Sequence, residues 1–115
     1  MQNNKMLKSG LKLLSETQGT GEPIKKGDTV KIRLNGWLNQ GQQIQEDYLG
    51  EVIVGGREVI PGIDYSIEGM RQGGKRKVKI SAHLGYRKAG IENSIPPNAV
   101  LVYEIEVLEV KQSNS

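Results

Sequence analysis

The sequence contains no cysteine and no phenylalanine, and it has one tryptophan and one histidine in 115 residues. Without cysteine there is no disulfide and no thiolate metal site. A single histidine, His83, excludes a histidine-rich metal centre. Without phenylalanine the core has to be mostly aliphatic. No apolar run approaches the roughly 20 residues of a membrane-spanning helix, and residues 1–10 lack the apolar stretch of a secretory signal. The expectation is therefore a cytoplasmic protein with no membrane partner. The charge excess is small, 16 Lys and Arg against 13 Asp and Glu, for a net charge of +3. Lys75-Arg76-Lys77 with Lys79 is the densest basic stretch. It lacks interleaved aromatics, so it reads as a solvated strand edge and not as a nucleic-acid surface. No nucleophile pairs with a base, and no pair of acids is set apart for proton transfer. Gly55-Gly56-Arg57 and the glycines from Gly69 to Gly74 lack the Lys-Ser/Thr that completes a phosphate loop.

What is present is glycine, 15 residues of it, which indicates short strands and tight turns. Thr29 to Leu38 alternates, with Val30, Ile32, Leu34 and Leu38 on one parity and Lys31, Arg33 and Asn35 on the other. That is a half-buried strand. Asn39-Gln40-Gly41-Gln42 reads as a hairpin turn. Gln43 to Asp47 and Glu51 to Val54 read as two short extended pieces punctuated by Gly50. Ile63, Ile67 and Met70 fall on one helical face, so a short helix is expected over about Ile63 to Met70. Lys75 to Ser81 and Ala99 to Val110 alternate as two further strands, the second with Leu101, Tyr103, Ile105 and Val107 inward. Residues 82–98 form a long loop of the kind that is usually functional. The fold class is α+β, an antiparallel sheet with one short helix on it. One domain is expected over residues 10–110, preceded by a flexible segment 1–9 and followed by a disordered polar tail 111–115.

Glu58-Val59-Ile60-Pro61-Gly62, Gly85-Tyr86, Ile95-Pro96-Pro97-Asn98-Ala99 and Leu101-Val102-Tyr103-Glu104-Ile105-Glu106-Val107 occur in that order. Together with Lys25-Lys26-Gly27-Asp28-Thr29-Val30 and Gly36-Trp37-Leu38, they resemble the FKBP-type peptidyl-prolyl isomerases over roughly residues 10–110. The resemblance implies a twisted antiparallel sheet wrapped around one short helix, with a shallow apolar pocket between them. It implies isomerisation of X-Pro bonds in peptides and folding chains, with no cofactor and no metal. It also implies that the backbone at Glu58 and Ile60 hydrogen-bonds the bound peptide or macrolide, and that Tyr86 donates its hydroxyl to it. Ile60 and Tyr86 are then the catalytic pair. Leu34, Ile44, Val59, Ile63, Ile95 and Tyr103 complete the substrate-binding set.

The family pocket is usually more aromatic. Leu34 stands at the place of a tyrosine, Ile44-Gln45 at that of a Phe-Asp pair, Ile63 at that of a tryptophan floor and Tyr103 at that of a phenylalanine. A further phenylalanine is lost near Leu49-Gly50. Exchanging a Trp floor for Ile63 removes about 1–2 kcal/mol of apolar contact. Reduced activity and weakened macrolide affinity follow. By periodicity alone Leu34, Ile44, Val59 and Ile63 are plain core, and by resemblance they line a pocket. A catalytic isomerase and a non-catalytic peptide-binding module or folding helper are both compatible with that lining.

Overall fold

The structure, a computed structural model, describes residues 5–113. Six antiparallel strands form one sheet in the order β1-β2-β5-β6-β3-β4. In chain order these are β1 (Lys5–Lys8), β2 (Leu11–Thr17), β3 (Thr29–Leu38), β4 (Gln43–Ile53), helix α1 (Pro61–Ile67), β5 (Lys75–Ile80) and β6 (Leu101–Lys111). The class is α+β, as expected. β3 shows how alternation becomes packing. Val30, Ile32, Leu34 and Leu38 are buried while Lys31 is exposed. β6 matches it from the next position, with Leu101, Tyr103, Ile105 and Val107 buried. Leu34 lies opposite Ile105, and Gly36 opposite Tyr103. Val78 and Ile80 of β5 extend the same apolar face.

α1 rests on β5 and β6 and buries Gly62, Ile63, Ser66 and Ile67. Proline at its start is suited to the position, because the first N–H of a helix has no partner within the helix. Gly62 lets the helix approach closely: a Cβ there would lie 2.5 Å from Cγ2 of Ile80. The helix runs over Pro61–Ile67 and not to Met70 as its spacing suggests. Glu68 is extended and Gly69 is left-handed at φ 90°. Met70 is nevertheless buried, because the Ile24 N–H donates to its carbonyl at 2.8 Å and draws the chain across the core. Arg76 closes the helix end, donating to the Ser66 carbonyl at 2.8 Å while its Nε holds Glu16 at 2.7 Å.

Three local expectations differ from the structure. The two extended pieces at 43–47 and 51–54 are one strand, β4. The long β3 offers it partners from Thr29 to Trp37, and pairing overrides the preference of Gly50 for a turn. The interruption is instead a left-handed residue at Asp47 (φ 49°), whose N–H is held by Oδ1 of Asn35 at 2.8 Å. Within the segment expected to be flexible, Lys5–Lys8 forms β1 on the edge of β2. Its pairing is through the backbone, and its flanking lysines suit an edge strand. Within the expected tail, Lys111 ends β6, and the Ser113 N–H donates to Oδ1 of Asp28 at 2.8 Å. Residues 1–4 and 114–115 lie outside the described residues.

Asp28 is fully buried and takes a second backbone donor, Lys25 N–H, on Oδ2 at 3.0 Å. Burial pushes its carboxyl up, but the donors at Lys25 and Ser113 and the Lys25 charge outweigh that and hold it below the ordinary value of 3.8. No helix among the described residues is long and apolar enough to cross a membrane.

Candidate active site

The junction between β4 and α1 carries the Glu58-Val59-Ile60 run. Ile60 caps α1, its carbonyl accepting from the N–H groups of Ile63 (3.0 Å) and Asp64 (3.1 Å). Its own N–H forms no hydrogen bond among the described residues, and neither does the Glu58 carbonyl. Buried or half-buried backbone groups are nearly always paired. The unpaired donor on half-buried Ile60 is an exception to that rule. The Glu58 carboxylate accepts from the Ile53 N–H at 3.0 Å, which pins the run to the end of β4.

The second wall is the loop after β5. A turn of 3-10 helix at Ala82–Leu84 leads into Gly85 and half-buried Tyr86. The loop is tied down by backbone bonds from Arg87 to Ala82 (3.0 Å), Gly90 to Tyr86 (3.0 Å) and Asn98 to Arg87 (2.7 Å). Further on, Ile91 and Ile95 bridge each other, and Ile95 is buried.

Tyr103 joins the walls. Its ring lies across Gly36, where a Cβ would stand 2.5 Å from the ring carbon Cζ. Gly36 in turn pairs with Gln45 on β4, and the Tyr103 hydroxyl donates to Oε1 of Gln45 at 2.8 Å. The Tyr86 hydroxyl lies near it. Burial raises both tyrosine pKa values. The neighbouring hydroxyl pulls Tyr86 part of the way back and pushes Tyr103 further up.

The nine site residues taken from the sequence fall into three groups. Leu34, Ile63, Ile95 and Tyr103 are buried in the hydrophobic core, at 2%, 3%, 6% and 2% exposure. Ile44, Val59, Ile60 and Tyr86 are half-buried and pack on that core. Glu58 is exposed. The half-buried four are the ones open to solvent, and the buried four belong to the core they pack on. Two residues outside the set take part in the geometry. Gln45 keeps an acceptor, now neutral, at the place of the family's acid. Gly36 makes room for Tyr103, and its sequence signal was a glycine on the inward parity of β3, which marks a close backbone approach.

The family model for FKBP-type peptidyl-prolyl cis-trans isomerases matches residues 20–108. The chain belongs to that family. Among curated FKBP relatives, the FK506-binding protein of Neisseria meningitidis serogroup B is 33% identical over 105 residues, covering 88% of this chain and 96% of that protein. FK506-binding protein 4 of Gibberella zeae is 36% identical over 105 residues, 89% of this chain. This chain spans 21% of that longer relative. Among solved structures, FkpA from Escherichia coli superposes with a TM-score of 0.83 at 35% identity, over 94% of this chain and 51% of that one. A multi-domain immunophilin from Arabidopsis thaliana has the same fold, with a TM-score of 0.90 at 20% identity, over 99% of this chain and 47% of that one.

Proposed function

We propose that this FKBP-family chain is a peptidyl-prolyl cis-trans isomerase of reduced activity, acting on X-Pro bonds in peptides and unfolded chains in the cytoplasm. The observation that carries the reading is the free Ile60 N–H, on a chain whose Ile44, Val59, Ile60 and Tyr86 are half-buried against one core. Rotation of a peptide bond faces about 18–20 kcal/mol of lost amide resonance. The twisted state is less polar than the planar amide, so an apolar surface stabilises it relative to the ground state, as catalysis requires. Ile60 N–H and the Glu58 carbonyl hold the peptide backbone, and the Tyr86 hydroxyl takes a further carbonyl. Leu34, Ile63, Ile95 and Tyr103 support the surface from below. No bond to the protein forms, and no cofactor or metal takes part.

Macrolides of the kind that FKBP proteins bind would occupy the same surface with weakened affinity, because only one of its half-buried residues Ile44, Val59, Ile60 and Tyr86 is aromatic. The deciding experiment is refolding of a proline-limited protein, together with isomerisation of a short X-Pro peptide, with and without this chain at micromolar concentration. A rate above the spontaneous one is expected. A rate equal to it ends the isomerase reading and leaves a peptide-binding module on the same surface. Fractionation of the source cells tests the compartment, and recovery outside the cytoplasm would overturn that part.

A further inference from the structure

Next to the Val59–Ile60 edge lies a cleft of about 550 Å³ that none of the isomerase residues except Val59 enters. Its apolar lining is Val59, Pro61, Leu84 and the flank of Tyr65, and three cations stand around it, Lys26, Arg57 and Arg87. They come from three separate turns. None of their side chains forms a hydrogen bond or an ion pair among the described residues, although four other basic–acidic pairs do form elsewhere on the surface. The one carboxylate in the lining, Asp64, is drawn off to the Gly55 N–H at 2.9 Å. Arg57 immediately precedes Glu58, and Arg87 immediately follows Tyr86. The cations therefore flank the two segments that would hold a peptide. Both arginines sit in left-handed conformation, at φ 60° and φ 57°, where glycine would be the easy choice.

We infer that this cleft is a subsite for a carboxylate side chain of the bound polypeptide, so that the protein favours X-Pro segments flanked by aspartate or glutamate. The inference rests on the isomerase reading for its turnover readout, but the cleft can be tested apart from it. Three unpaired cations facing one engaged carboxylate form a positive site, and its apolar floor continues into the peptide surface at Val59. An acidic side chain can lay its methylenes on Pro61 and Leu84 while its carboxylate reaches the guanidinium groups, which hold carboxylates through paired hydrogen bonds. Lys26 then adds charge without demanding geometry.

The test uses X-Pro peptides carrying glutamate at successive positions on either side of the proline, each with a glutamine twin. In the wild-type protein at low ionic strength, kcat/KM for the best-placed glutamate peptide should exceed that of its twin by about fivefold, as expected of partly exposed ion pairs. At ~1 M salt, where screening acts over about 3 Å, the ratio should approach one. The same ratio should collapse in Arg57→Gln and in Arg87→Gln at low salt. A wild-type ratio of one at every position overturns the inference, as does a preference that survives both substitutions. If no peptide is accelerated at all, the isomerase reading fails on its own. Fluorescence anisotropy of the labelled twins then reads the cleft directly. Tighter, salt-sensitive binding of the glutamate peptide supports it, and equal binding overturns it.

Discussion

Tyr103→Phe is expected to weaken the fold and strengthen the site in one step. The substitution keeps the ring against Gly36 and removes only the hydroxyl, which donates to Gln45 and lies near that of Tyr86. A net hydrogen bond is worth about 0.5–1.5 kcal/mol, and more if a partner is left stranded. Gln45 is half-buried, so water can reach its amide. The loss should stay near 1 kcal/mol, a fall in Tm of about 4 °C for a domain of this size. Tyr86, however, no longer has a neighbouring hydroxyl competing for its proton. Removing a competitor worth up to about 1 kcal/mol should raise kcat/KM for an X-Pro peptide by up to about fivefold. Thermal melts and peptide isomerisation on the same preparations give both signs. The control is Tyr86→Phe in each background. The gain from Tyr103→Phe should vanish when Tyr86 has no hydroxyl, and a double-mutant cycle measures that coupling. A loss of activity in Tyr103→Phe, or a gain that survives Tyr86→Phe, would refute the Tyr103 hydroxyl as a competitor for the Tyr86 proton.

Two further predictions concern stability. Asp28 has a folded pKa below its ordinary value of 3.8, so its contribution is present above about pH 4 and is lost as pH falls through the folded pKa. In urea melts, Asp28→Asn should be less stable than wild type at neutral pH, and the gap should narrow below pH 4. A gap that does not change with pH would contradict the sign. Ile63→Trp should lower Tm without tightening peptide or macrolide binding, because Ile63 is 3% exposed and forcing a larger ring into filled space costs about 1–3 kcal/mol. A gain in affinity at unchanged Tm would show instead an open floor at Ile63.

Much of this architecture could be read from the sequence because it is local. β3 declares itself by strict alternation, and the Ile63–Ile67 spacing gives α1 its buried face. β1 could not be read, since Lys5-Met6-Leu7-Lys8 has no apolar period and owes its form to the backbone of β2. β4 has a glycine, Gly50, that punctuates its sequence, and only the presence of β3 opposite explains its continuous pairing. The motif at Glu58–Ile60 and Tyr86 located the candidate surface. The Tyr103–Gln45 hydrogen bond was out of reach, because the two residues are 58 positions apart and meet only through the strand register at Gly36. The cleft was hidden for the same reason. Lys26, Arg57 and Arg87 belong to three turns that only the folded chain brings together.

The contact between Gly36 and Tyr103 also constrains the order in which this pocket can change during evolution. A methyl group at residue 36 would stand 2.5–2.9 Å from three atoms of the Tyr103 ring, so any larger residue there is barred while the ring remains. A smaller residue at 103 lifts the bar. The mutational path to a wider pocket therefore runs through residue 103 first, and Gly36→Ala, harmful alone, should become tolerable once Tyr103 has been trimmed to leucine. Position 36 thus acts as a ratchet: once it has gained a side chain, the tyrosine cannot return to 103 unless the glycine returns before it.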